Sequence, residues 1–331
     1  MIKFKPHTLV VEDLKYLSEL LKTGLPLRTC LDLISTNTNK NIIDNLLNRL
    51  DKGEMIENIA NDYLPKEIAG YTRNLLKNIS FKESLELSLS FYMKNKENAK
   101  ALEKAITYPL VLLFISLTGL YLFDSYGLNS IISLLKSFNS DINSFSFIRI
   151  LLKIIIYFFY FGFLIVSSTL LYYLNKKRII IFYIILCKYF PNSLIKTYFT
   201  EDFISLFVIT INLGYKTKDA LELLKRLDNK PLVAFLSFHL DELLLEGNSL
   251  KEASNQKYYD EVLTKFISIA SYSTNFSGIL TNYVELAKEK IANRMKLYTS
   301  ILQVFSYLVI GFVIIFIYQV LFLPMKALIN I

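Results

Sequence analysis

The chain has 331 residues, 53% of them hydrophobic, with 37 Lys and Arg against 29 Asp and Glu, a formal net charge of +8 and a mean hydropathy of +0.38. Long uncharged runs beside 20% charged residues exclude a purely soluble domain and indicate a polytopic membrane protein with substantial soluble parts. The positive charge does not mark a nucleic-acid groove: Lys and Arg number 16 before residue 106, 17 from 176 to 300, 3 from 125 to 153 and 1 after residue 325, and acids balance most of them locally.

The N-terminus, MIKFKPHTLVVEDLKYLSELL, is amphipathic and charged, so no signal peptide is expected and the N-terminus is placed in the cytoplasm. Val10 to Ser35 reads as two helices with Leu14, Leu17, Leu20 and Leu21 at helical spacing. Gly24 supplies the left-handed C-cap and Pro26 the first turn of the next helix. The pattern repeats with Ile42, Ile43, Leu46, Leu47 and Leu50 and a break at Gly53. Pro65 opens another helix, and Phe81 to Lys104 forms a last one. Residues 1–105 are therefore expected to be a cytoplasmic helical bundle.

From Ile106 to Phe123 no residue is charged, which gives a first span over 106–124. Tyr108-Pro109 near its start either kinks the helix at the membrane surface or re-aims the soluble domain. A Ser- and Asn-rich stretch at 125–153, with a small amphipathic piece at Ile131 to Leu135, is expected outside. A second span follows at 154–175, closed by Lys176-Lys177-Arg178. Ile179 to Phe190 is too short to cross and reads as an interfacial or domain-packing helix.

The pattern then starts again. Gly24 recurs as Gly214, Gly53 as Gly247, and Phe81, Leu85 and Leu89 as Phe276, Leu280 and Val284, with the numbering offset growing slightly from each match to the next. One unit of bundle and span thus occurs twice, the second as a bundle at 176–300 and a third span at 301–325 with Pro324 at its exit. A tail at 326–331 is left outside. The fold class is all-α, with two homologous cytoplasmic bundles and three transmembrane helices, and the concentration of cations in the two bundles places both on the inner side.

No chemistry is legible. Glu201-Asp202 and Asp241-Glu242 are paired carboxylates expected on solvated helix faces, and no phosphate-binding or dinucleotide glycine pattern occurs. His7 and His239 have no partner at metal-ligand spacing, and Cys30 and Cys187, both placed on the cytoplasmic side, are expected to stay reduced. Catalytic residues, metals and cofactors are all expected to be absent. A transporter or channel with regulatory cytoplasmic domains is the alternative, but the spans hold no ionisable residue at their centres; Gly162 and Gly311 there fit helix packing equally well.

The whole chain resembles the type II secretion F family, the inner-membrane platform proteins of type II secretion, type IV pilus and competence pseudopilus systems. The residues that carry the resemblance are LEKAITYPLVL with Tyr108-Pro109, the paired corners SELLKTGLPLRTCLDLI and LFVITINLGYKTKDALELL, the run Ser277-Gly278-Ile279-Leu280, and the last span with Gly311, Tyr318 and Leu323-Pro324-Met325. Gln303 and the last span are most similar to the Gram-positive competence (ComG-type) branch. Asn275 stands where the family commonly has Glu, and Val304 where it commonly has Pro; no metal is carried over. The positions the resemblance singles out are Gly24, Pro26, Tyr108, Pro109, Gly214, Gly278, Gln303 and Pro324. It implies a multi-pass protein of the cytoplasmic membrane, a hexameric assembly ATPase meeting the bundles, pilin-like subunits meeting the spans, and a homo-oligomer, with DNA uptake as the process served and no direct contact with nucleic acid.

Overall fold

The computed structural model describes residues 8–137 and 176–329, with isolated positions between 150 and 168. Among the described residues every regular element is a helix. The chain divides into two compact units, Met1–Ala99 with Ile179–Ile291, and Lys100–Arg178 with Ala292–Ile331.

The first repeat comprises α1 (Val11–Lys22), α2 (Leu27–Ile34), α3 (Lys40–Asp51), α4 (Ile56–Tyr63), α5 (Lys66–Leu75) and the start of α6 (Phe81–Leu122). A π-helical turn, Phe123–Gly127, carries α6 into α7 (Leu128–Ser137). Then come α8 (Lys176–Tyr189), α9 (Leu194–Asn212), α10 (Thr217–Lys225), α11 (Pro231–Leu245), α12 (Leu250–Ser254), α13 (Glu261–Ala270) and α14 (Phe276–Ile329). From α9 onward the second repeat retraces the first helix for helix. The starts of α2, α4 and α6 at Leu27, Ile56 and Phe81 recur as those of α10, α12 and α14 at Thr217, Leu250 and Phe276, with the same offsets as the glycine corners and the apolar positions.

Local chemistry explains the matched corners. Gly24, Gly53, Gly214 and Gly247 have φ of +86°, +83°, +94° and +91°, the left-handed region that ends a helix and that a Cβ disfavours. Side chains cap several of the helix starts. Ser249 Oγ accepts from the Glu252 amide at 3.2 Å while Glu252 Oε2 accepts from the Ser249 amide at 2.8 Å, and Ser80 with Glu83 repeats the arrangement before α6.

Each repeat has its own core. In the first, Leu14, Leu17, Leu31, Ile43, Ile59 and Leu85 are buried together. The core of the second gathers α8 to α14 but also takes in Tyr71, Leu75, Leu87 and Phe91 from α5 and α6 of the first. α6 thus serves two cores, Leu85 and Leu89 facing one and Leu87 and Phe91 the other, an alternation that a helix flanked on both sides can sustain. α8 is a packing helix of the second repeat: Tyr183 and Cys187 are buried, and the Tyr183 hydroxyl donates to the Tyr258 carbonyl at 2.7 Å.

α6 and α14 run unbroken out of their bundles into the uncharged sequences, and Pro109 and Pro324 lie within them without ending them. Judged on the described side chains alone, no helix is long and apolar enough to cross a membrane. The expected second span and most of the expected external stretch lie outside the described residues.

Candidate functional site

Among the described residues, side chains join the two repeats within each unit. In the first unit the junction is built from α9 and the turn before α11 on one side and from α5 and α6 on the other. Lys94 Nζ of α6 donates to Glu201 Oε1 of α9 at 2.5 Å, and the two side chains are 7% and 1% exposed. Beside it, Lys230 Nζ donates to Asp202 Oδ2 at 2.8 Å and to Asn95 Oδ1 at 2.9 Å, tying the N-cap of α11 to α6. The Asn229 side chain lies against Gly70 of α5, where a Cβ would sit 3.6 Å from Asn229 Nδ2.

This placement corrects the expectation that Glu201-Asp202 lies on a solvated face. α9 carries Phe199, Phe203, Ile204, Leu206 and Phe207 around its circumference, so it is covered on all sides and its carboxylates are taken in with it. Asp241 is buried as well, held by Lys225 Nζ at 2.7 Å. A buried charge is tolerated when paired. Burial pushes the Glu201 carboxyl up and the Lys94 ammonium down, and in each case the partner's charge opposes the push. Another cation–carboxylate pair, Lys290 Nζ to Asp260 Oδ2 at 3.2 Å, ties α14 to the N-cap of α13 inside the second repeat.

The corners singled out from the sequence divide between two environments. Next to Gly214, burial together with the Glu83 and Glu86 carboxylates pushes the Tyr215 phenol up to about 12, so this corner sits against α6. Gly24 and Pro26 form the equivalent corner of the first repeat and are exposed. Gly278 lies in the first turn of α14, where its amide donates to Asn275 Oδ1 at 3.0 Å, so Asn275 acts as a local cap.

In the second unit, Gln303 Nε2 donates to the Tyr307 hydroxyl at 2.8 Å, and the Tyr108 and Tyr307 hydroxyls are 3.4 Å apart. Tyr108 and Gln303 are equivalent positions of the two repeats, and Tyr307 brings them together. Pro109 and Pro324 lie within the helical backbone of this unit.

Sequence reasoning missed the seam formed by Lys94, Glu201, Asp202 and Lys230. Its signal was the run LIKTYFTEDFISLFVITIN, a helix apolar on every face with two adjacent acids inside it. The repeat gave no help, since Val11 and Glu12 stand where Glu201 and Asp202 stand in the second copy. The arrangement contains ion pairs and hydrogen bonds that lock helices of one repeat to the other, and α6 and α14, the helices that leave the bundles, are 42 and 54 residues long.

Two stretches of the chain, residues 13–126 and 203–324, match the family model described as Type II secretion system (T2SS), protein F. The offset between the starts of the two matches is the one that carries Gly24 onto Gly214. No curated protein matches the chain.

Proposed function

From a chain that belongs to the type II secretion system protein F family, we infer a platform protein of a secretion or pilus machine, and we propose that it serves a competence-type pseudopilus for DNA uptake. Its two bundles engage a cytoplasmic assembly ATPase and its spans engage pilin-like subunits. Three helices, at 106–124, 154–175 and 301–325, cross the cytoplasmic membrane, with both bundles and the N-terminus inside, as the distribution of Lys and Arg favours. Copies of the chain associate with one another. No bond is made or broken by the chain; it passes motion from the ATPase to the subunits.

The observation that carries this reading is the continuity of α6 and α14. Each leaves a bundle whose helices are locked to the other repeat and enters an uncharged run without a break. An α-helix is held by its own backbone hydrogen bonds, and Pro109 and Pro324 each remove one N–H from theirs without ending the helix, so a tilt imposed at the bundle is passed along it. Deleting the chain is expected to abolish filaments while pilin-like subunits are still made and the purified ATPase still turns over. Filaments that persist in the deletion strain would end the platform reading, and loss of filaments with DNA uptake intact would end the competence assignment.

A further inference from the structure

We infer that the first unit associates head to tail with a second copy of this chain, through two faces that repeat the chain's own internal junction. That junction is heterologous: the second repeat contributes α9 and the turn before α11, and the first contributes α5 and α6. A duplicated fold therefore holds one unused copy of each face, α1 with the turn before α3 in the first repeat and α13 with α14 in the second. A heterologous contact whose two halves recur on one chain can be made again with the next copy.

Both unused faces, and α2 between the two parts of the first, carry large apolar side chains that are exposed where their equivalents in the other repeat are buried. Leu33 is 62% exposed where its equivalent Leu223 is 4% exposed, and Tyr16 is 69% exposed where Leu206 is 2% exposed. On the complementary face Leu286 is 43% exposed where Phe91 is 1% exposed, and Ile269 is 61% exposed where Asn74 is 6% exposed. Leu33 and Leu223 are the same residue in the same helix of the repeat, and Leu223 lies in the core that takes in Tyr71, Leu75, Leu87 and Phe91 of the first repeat. Scattered single apolar residues need no explanation, but four at the equivalents of covered positions indicate a surface that is covered in use.

The charges on the two unused faces differ from those of the internal junction. Glu289 stands at the place of Lys94, and Val11 and Glu12 stand at the places of Glu201 and Asp202, with Lys15 one turn beyond Val11 on the same helix. The internal pair has its cation on the α6 side; the contact between copies would have it on the α1 side. This inference adds a contact face to the self-association proposed above, and its failure would leave the platform reading standing, because the test reads only contact between copies.

The test uses the full chain in its native membrane. One tagged copy carries Val11→Cys, a second, differently tagged copy carries Glu289→Cys, and the two are expressed together and then oxidised. A disulfide-linked band that contains both tags, and that neither variant gives alone, is the expected result. No such band, or equal bands from each variant alone, would overturn the head-to-tail contact. Separately, Leu33→Asp and Ile269→Asp alter exposed residues that the fold does not need. Each is expected to lose the crosslinked oligomer, while Phe238→Asp, exposed on α11 and outside the helices that form either face, keeps it. An oligomer unchanged by Leu33→Asp would also overturn the inference.

Discussion

Lys94 Nζ and Glu201 Oε1 are far apart in the chain and 2.5 Å apart in the fold, with hardly any water reaching either side chain. A buried pair of this kind is asymmetric in its energetics. Removing one partner strands the other charge, while removing both leaves room for apolar packing.

Glu201→Ala is accordingly expected to destabilise the folded first unit by about 3–5 kcal/mol. The double change Lys94→Met with Glu201→Leu is expected to be neutral or stabilising. Denaturant unfolding of the purified chain in detergent measures both, and a double variant as unstable as Glu201→Ala would show that the pair contributes net stability.

The same pair gives a pH dependence whose sign can be worked out. Burial raises the Glu201 carboxyl above its ordinary 4.5, so the folded state holds that proton more tightly than the unfolded chain. Stability from this group is then full below 4.5 and is lost as pH rises through the raised value. Lys94 is shifted down from 10.5, so its contribution runs the other way, growing as pH rises from the lowered value towards 10.5. Glu201→Gln removes the first dependence. Between pH 4.5 and neutrality its unfolding free energy is expected to rise relative to wild type, and a relative fall would contradict the shift.

Gly24 and Gly214 have φ of +86° and +94°, and nothing lies within 4 Å of where a Cβ would stand at either. Alanine there meets backbone strain and no clash, so Gly24→Ala and Gly214→Ala are each expected to cost about 1–2 kcal/mol, with asparagine costing less. Thermal unfolding of the four variants checks the order.

Tyr307 accepts from Gln303 at 2.8 Å and lies 3.4 Å from the Tyr108 hydroxyl. Tyr307→Phe deletes both contacts, whereas Tyr108→Phe deletes only the long one. The first is expected to lower stability by about 1 kcal/mol and the second by less. Equal losses would mean that the Gln303 contact adds nothing to the Tyr108 one. Filament assembly in the two variants would show whether this junction between repeats also carries motion.

The two-fold repeat, the helical corners and the core positions were legible because each depends on local rules. A glycine at the end of an apolar 3.6-residue period takes a left-handed C-cap wherever it occurs, so Gly24, Gly53, Gly214 and Gly247 could be aligned by counting. The family resemblance rested on the same local signatures in the same order. The buried acids of α9 were not legible, because an Asp or Glu on a helix is usually solvated and nothing nearby in sequence announces Lys94 or Lys230.

By itself the sequence determined an all-helical chain made twice from one unit, with its charge concentrated in the bundles and its uncharged runs continuing them. Only the tertiary structure decided that the two copies are used differently: α5 and α6 of one meet α9 of the other, so Leu87 and Phe91 enter a second core and Leu206 and Leu223 are covered while Tyr16 and Leu33 are not. The reason is geometric. Helix periodicity fixes which face of a segment is apolar, but a heterologous contact between equivalent domains breaks their equivalence, and which face is covered depends on a partner many residues away.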